Sequence, residues 1–233
     1  MKITKFTYII LNKQMEIIAF SDIHGQTDSF DKISGSIKSA DLIVIAGDIT
    51  HFGFEKDARA VLEIIAQYNN QILVVPGNCD NTAVVKYLCG QEWNLHNEVK
   101  NINGYTFIGL GGSLPCPGKT PLEYSEKEYS LHIASIEGKI SAETQKILIT
   151  HQPPVNTIND QVVSGQHVGS SVIRGFIESL QPLITFTGHI HEGIGIDTIG
   201  KSKVINPGPL REGNYAYAKI LDGQIIDLDI RKI

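Results

Sequence analysis

The chain has 233 residues, 42% of them hydrophobic and 19% charged, with 22 glycines and a net charge of −5. That length suits one large α/β domain over 1–233, whose core can form without disulfides or a structural metal. The acidic balance, with no basic cluster beyond Lys201-Ser202-Lys203, argues against a nucleic-acid-binding surface, and no apolar stretch is long enough to span a bilayer.

Residues 1–14 carry one short apolar run, Phe6–Leu11, shorter than a signal-peptide core and without a cleavage site. They read as an added edge strand, a tail or a mis-assigned start. Glu16–Phe20, Leu42–Ala46 and Ile72–Val75 are Ile- and Val-rich runs that end in polar turns, as strands do. Between them, Thr27–Ser39 carries Phe30, Ile33 and Ile37 at helical spacing, and Glu55–Tyr68 carries Ala58, Val61, Leu62 and Ile65. Strands alternating with helices predict βαβ units and a mostly parallel sheet. Asn103-Gly104 predicts a tight turn between Glu98–Ile102 and Tyr105–Leu110. Ser125–Glu137 and Ser170–Leu180 read as helices, Lys146–Thr150 and Leu183–Thr187 as strands. The tail from Gly193 reads as three or four antiparallel strands with a turn at Asp222-Gly223. The three cysteines, Cys79, Cys89 and Cys116, are odd in number and irregular in spacing, which points to a reducing, cytoplasmic setting.

The chemistry sits where these strands end. Asp22-Ile23-His24, Gly47-Asp48, Gly77-Asn78-Cys79-Asp80, His151-Gln152-Pro153-Pro154 and Gly188-His189-Ile190-His191 each follow a strand. Sites in open α/β sheets form at the carboxyl ends of strands, so the five loops are expected to converge. Each motif alone is weak, since Gly-Asp after a strand is commonly just a turn. Together they place four of the eight histidines in one set of loops. Asp, Asn and His without thiolate suit manganese, iron, cobalt, nickel or zinc better than calcium or magnesium, and do not resemble a Cys-rich structural zinc site.

The ordered set D-x-H, G-D, G-N-x-D, H-x-P-P and G-H-x-H resembles the calcineurin-like metallophosphoesterase superfamily, from about Met15 to Pro209. Gly47-Asp48-Ile49-Thr50-His51, Gly111-Gly112-Ser113 and Asn206-Pro207-Gly208-Pro209 resemble its Icc-related branch, common in archaea. The resemblance implies an α/β fold, a four-layer α/β/β/α sandwich of two mixed sheets flanked by helices. It implies two divalent ions, manganese foremost. Asp22, His24 and His191 would bind one, Asn78, His151 and His189 the other, and Asp48 would bridge them. A bridging hydroxide would then attack phosphorus in line with the leaving oxygen.

One position departs from the pattern. Many superfamily members have histidine where this chain has Cys79, with Asp80 retained behind it; the resemblance makes Asp48, Asn78, Cys79 and Asp80 the expected catalytic residues of these motifs. A thiol is a weak donor and a poor substitute acid, so the expectation shifts toward phosphodiesters, small or nucleotide-type, which need less help at the leaving group. The alternatives are a phosphomonoesterase or nucleotidase of the same fold and a catalytically weak phosphate-binding scaffold. His51, three residues past Asp48, and His167, near the start of the Ser170–Leu180 helix, are candidates to assist; Arg211 and Arg174 are candidate phosphate contacts. His96, His132, Tyr215 and Tyr217 read as structural. The expected partner is a small phosphate ester, with homo-oligomerisation left open.

Overall fold

A computed structural model describes residues 14–233, so the reading of residues 1–13 lies outside it. Two sheets lie face to face. The first has the order β11 (Gln224–Lys232), β10 (Asn214–Leu221), β1 (Gln14–Phe20), β2 (Leu42–Ala46), β3 (Ile72–Val75). The second has the order β4 (Val99–Ile102), β5 (Tyr105–Leu110), β6 (Gln145–Thr150), β7 (Ile184–Phe186), β9 (Ser202–Asn206), β8 (Gly195–Ile199). Both sheets are mixed. β1, β2 and β3 run parallel, as do β5, β6, β7 and β9, while β10, β11, β4 and β8 pair antiparallel.

The strand sequences dictate this layering. Successive side chains on a strand point to opposite faces, so a strand covered on both faces reads as an unbroken apolar run. Leu42, Val44 and Ala46 of β2 face the second sheet, where they meet Phe107, Ile147, Ile149 and Phe186. Ile43 and Ile45 face the other way, onto α2 (Glu55–Tyr68) and α3 (Thr82–Cys89). Leu148 of β6 packs against α4 (Glu126–Glu137) and α5 (Ser171–Leu180). Three apolar interfaces separate four layers, helices outside and sheets inside. Buried aliphatic and aromatic side chains contribute roughly 1.5–3 kcal/mol each, whereas the exposed Arg59–Glu55 pair adds little. The layers therefore hold the architecture.

Most elements form as the sequence predicts, with instructive exceptions. The Thr27–Ser39 segment is not one helix: it is a turn, a 3-10 turn at Asp31–Ile33 and a short α1 (Ser34–Ser39). Ser34, Gly35, Ser36 and Ser39 are weak helix formers, yet Phe30, Ile33 and Ile37 still reach the core. Ser170 is the cap of α5 rather than its first residue, its hydroxyl accepting the amide of Ile173 at 3.1 Å. The tail is two hairpins that part company. β8–β9 joins the second sheet, β9 parallel to β7, and β10–β11 joins the first. Thr82–Cys89 is a helix that the sequence reading does not assign.

His96 is buried, and its Nδ1 accepts the amide of Gly111 at 2.9 Å, fixing a loop whose next residue, Gly112, donates to Pro76 just before the third strand-end motif. Burial pushes the His96 imidazole down to about 4. Above pH 6.5 this costs nothing. As pH falls from 6.5 towards 4, the unfolded chain takes a proton that the folded chain refuses, and stability is lost. His96→Asn, which keeps an acceptor, should remove a pH-dependent contribution on the order of 3 kcal/mol over that interval. Urea melts at stepped pH would show a shallower fall for the variant; an unchanged slope would mean the ring is protonated in the fold.

Candidate metal centre

The carboxyl ends of β1, β2, β3, β6 and β7 come together at one edge of the sandwich. They surround a cleft of about 430 Å³ lined by His24, Gln26, Asp48, His51, Asn78, Cys79, His189, His191 and Arg211. Beneath it lie Asp22, 1% exposed, and His151, fully buried.

Asp48 is the pivot. Its Oδ1 accepts the amide of Cys79 at 2.8 Å and lies 3.5 Å from His151 Nε2. Its Oδ2 lies 3.6 Å from His24 Nε2. The two oxygens of one buried carboxylate thus face two different sets of side chains. On one side, Asp22 Oδ1 is 3.2 Å from His191 Nε2 and 4.0 Å from His24 Nε2. On the other, His151 Nδ1 donates to the carbonyl of Ala46 at 2.8 Å, which turns Nε2 towards Asn78 Oδ1, 2.9 Å away. An imidazole nitrogen, an amide oxygen and a carboxylate oxygen converge there. Donors so arranged fit a cation, since buried charge must be paired or coordinate a metal. Buried His24 Nδ1, with no hydrogen-bond partner among the described residues, leaves that ring free of any competing commitment.

Three triplets bring their ligand atoms within 4.8 Å of one another: Asp22, His24 and His191; Asp22, Asp48 and His151; His24, Asp48 and Cys79. The first is the set expected for one ion, and Asp48 lies between both sides as expected for a bridge. His189 is in none of the triplets; its ring packs on that of His151, centroids 5.2 Å apart, and it lines the cleft. Cys79, which the sequence presents only as a weak acid, falls within reach of potential ligands.

Backbone geometry at the site is strained. Asp22, His24, Asp48 and His189 have φ between 49° and 69°, a left-handed conformation costing roughly 1–3 kcal/mol per non-glycine residue. Such outliers persist where surrounding structure imposes them. Gly77 and Gly188 are needed for space rather than for turning. A Cβ on Gly77 would lie 2.0 Å from Asp48 Oδ1, and one on Gly188 would lie 1.7 Å from Ser21 Oγ.

The protein's own charges set distinct protonation tendencies. Burial pushes Asp48 up to about 7, although the charge of His151 opposes this. Burial acts on Asp22 in the same direction, but the hydrogen bond from His191 and the charge of His151 outweigh it and hold that carboxyl below the usual range. Burial lowers His24 to about 4 and His189 to about 3, so both rings are neutral, as ligands must be. The bond to Asp22 raises His191.

The other candidates divide. His51 lines the cleft, its ring 5.4 Å from that of His24. Arg211 lines it too, with Nη2 donating to His191 Nδ1 at 3.4 Å. Asp80 does not line it. Its carboxylate accepts the amides of Gly77, Ile49 and Thr50 and the Thr50 hydroxyl, all within 3.0 Å, so it clamps the second loop to the third instead of meeting substrate. His167 is also absent from the lining, because its Nδ1 is tied to Asp160 Oδ1 at 2.7 Å on a loop before α5. Arg174 bonds Glu178 and the carbonyls of Val155 and Asn156, a brace on the surface. Gln26, on the cleft wall, and Ser21, whose hydroxyl meets Asp22 Oδ2 at 2.5 Å, carry no motif of their own. Only their adjacency to the D-x-H motif could signal them.

Gly77→Ala should displace Asp48. We expect overpacking to cost roughly 1–3 kcal/mol of stability, and displacement of this carboxylate to cut phosphoesterase activity by about 100-fold. Manganese content after dialysis, read by mass spectrometry, should fall in parallel; a variant with full metal content and activity would show that Asp48 tolerates displacement.

The calcineurin-like phosphoesterase family model matches residues 15–193. An uncharacterised protein of Methanocaldococcus jannaschii, MJ1162, is 37% identical over 207 residues, covering 84% of this chain and 89% of its own. Among solved structures, TT1561 of Thermus thermophilus superposes with a TM-score of 0.72 at 21% identity, over 94% of this chain and 98% of that one. A dimetal phosphatase from Danio rerio superposes with a TM-score of 0.58 at 11% identity, over 94% and 98%. The last two show the shared fold alone. By the extent of the family match and the archaeal relative, the chain belongs to the calcineurin-like phosphoesterases.

Proposed function

We propose that this chain is a dinuclear-metal-dependent phosphodiesterase acting on small or nucleotide-type esters. Family membership supports the coarser statement, a metal-dependent phosphoesterase. Two divalent transition ions, manganese foremost, would when bound lower the pKa of water to about 7 and neutralise the phosphoryl oxygens. The residues that would hold them are Asp22, His24 and His191 on one side and Asn78, His151 and His189 on the other, with Asp48 between.

The chain's own groups supply the rest. The Ala46 carbonyl accepts from His151 Nδ1, so that Nε2 is the ring nitrogen turned to the site. The Asp80 clamp keeps Asp48 and Asn78 at a constant separation. Arg211 offers a guanidinium at the rim of the cleft, where a phosphate anion would sit.

The observation that carries the diester assignment is Cys79. It lines the cleft where the family pattern most often places an acid, and a thiol donates weakly. An ester with a good leaving group tolerates that deficit; an alkyl monoester does not. Among the described residues lining the cleft, His51 is the imidazole left outside the proposed ligand set, and it is the remaining proton source. A cytoplasmic setting is consistent with three unpaired cysteines. Among the described residues, no helix is long and apolar enough to cross a membrane.

The manganese-loaded protein should hydrolyse bis-p-nitrophenyl phosphate with kcat/KM at least about tenfold above that for p-nitrophenyl phosphate, a difference of ~1.4 kcal/mol in the barrier. Preference for the monoester would overturn the assignment. Cys79→His should raise monoester turnover by roughly 10- to 100-fold, within the range of general acid catalysis. No rise would mean that the missing acid does not limit the reaction, and would leave the proton with His51.

A further inference from the structure

Beside the cleft, and sharing His189 with it, lies a second cavity of about 360 Å³. Leu114, Pro115 and Pro117, on the loop after β5, line one part. Val162 and Val168, on the loop before α5, line another, together with Ile190 from the G-H-x-H loop. Among the described residues that line it there is no Lys, Arg, Asp or Glu. Its more buried polar side chains are already engaged. Gln152 Oε1 accepts the amide of Leu114 at 2.8 Å while its Nε2 donates to the Val168 carbonyl at 3.1 Å, tying the two loops together. The Cys116 thiol donates to Glu123 Oε1 at 3.1 Å.

The two hollows are therefore chemically unlike. The cleft gathers carboxylate, imidazole and guanidinium groups; the cavity next to it offers apolar surface and no charge. A second phosphate or an ammonium group placed there would lose water and gain no partner. A neutral apolar group gains by the same desolvation. Size permits a ring, since an apolar cavity of about 150 Å³ already admits benzene. His189 forms part of both linings, so a group attached to a phosphate in the cleft passes from one to the other around that imidazole.

We infer that this cavity receives one ester arm of the substrate, and that the arm is an uncharged apolar ring. The inference rests on the diesterase reading and narrows it: the preferred diester carries an aryl-type substituent rather than a second anionic group.

Calorimetric titration of the manganese-loaded protein with dimethyl phosphate and with methyl phenyl phosphate, equal in charge, tests it. Methyl phenyl phosphate should bind roughly 10- to 100-fold more tightly, as burial of one ring implies. Val168→Trp, which fills the cavity, should bring that ratio to within about threefold of one. Val162→Trp, on the same wall, should do so as well if the first variant fails to fold. Equal binding of the two diesters by the wild-type protein, or an undiminished ratio in a folded variant, would overturn the inference alone. If neither diester bound while inorganic phosphate did, the diesterase reading would fall with it.

Discussion

Everything at this site depends on one buried carboxylate facing two ways. Asp48 is 2% exposed and sits beside Asp22 and Asp80, both also buried. Three acidic groups removed from water in so small a volume are unfavourable on their own account. The fold resolves the conflict unequally. Asp80 is satisfied by three backbone amides and a hydroxyl. Asp22 is satisfied by Ser21, His191 and the amide of His189. Asp48 keeps one amide, from Cys79, and otherwise faces imidazole nitrogens on both sides. Protein groups alone satisfy Asp80, whereas Asp22 and Asp48 also turn oxygens towards the proposed histidine ligands.

That arrangement explains why the loops are strained and why they do not relax. Four proposed ligands adopt left-handed backbone conformations that a free loop would avoid. They are held by the amide of Asp22 on the carbonyl of Gly47, the amide of His24 on that of Asp48, and the amide of Gly188 on that of His151. Each bond joins two different strand ends, the amide of His189 on Asp22 Oδ2 links the two pairs, and Asp80 ties in the third loop, so no loop can move without the others. The packed sheets beneath supply the rigidity, because three apolar interfaces fix the relative positions of all five strands.

The contrast between the charged cleft and its apolar neighbour extends the same logic to substrate. Metal-type ligands set the place of the phosphoryl group but say little about what is attached to it. On the proposal made above, the attachment is selected by walls drawn mostly from the loops around Leu114 and Val168, which Gln152 ties together. Specificity would then reside mostly in segments whose sequences carry no motif, as is common where loops decorate a shared scaffold.

Much of the fold and of the candidate site is legible in the sequence, for local reasons. Apolar runs such as Leu42–Ala46 must be strands buried on both faces, and α2 follows from its helical spacing. The strand-end positions of Asp22, Asp48, Asn78, His151 and His189 follow from those strands. What sequence cannot assign depends on contacts between distant segments. Asp80 reads as catalytic from its motif, but its bonds to Ile49 and Thr50, about thirty residues away, make it a clamp. His167 reads as a site residue at a helix start, but Asp160 holds it away from the cleft. The β8–β9 and β10–β11 hairpins look alike locally and enter different sheets, because sheet membership is decided by which apolar face each must cover. Residue type and spacing determined which groups could bind metal; only the packing of the two sheets decided which of them meet, and which wall the substrate finds beside them.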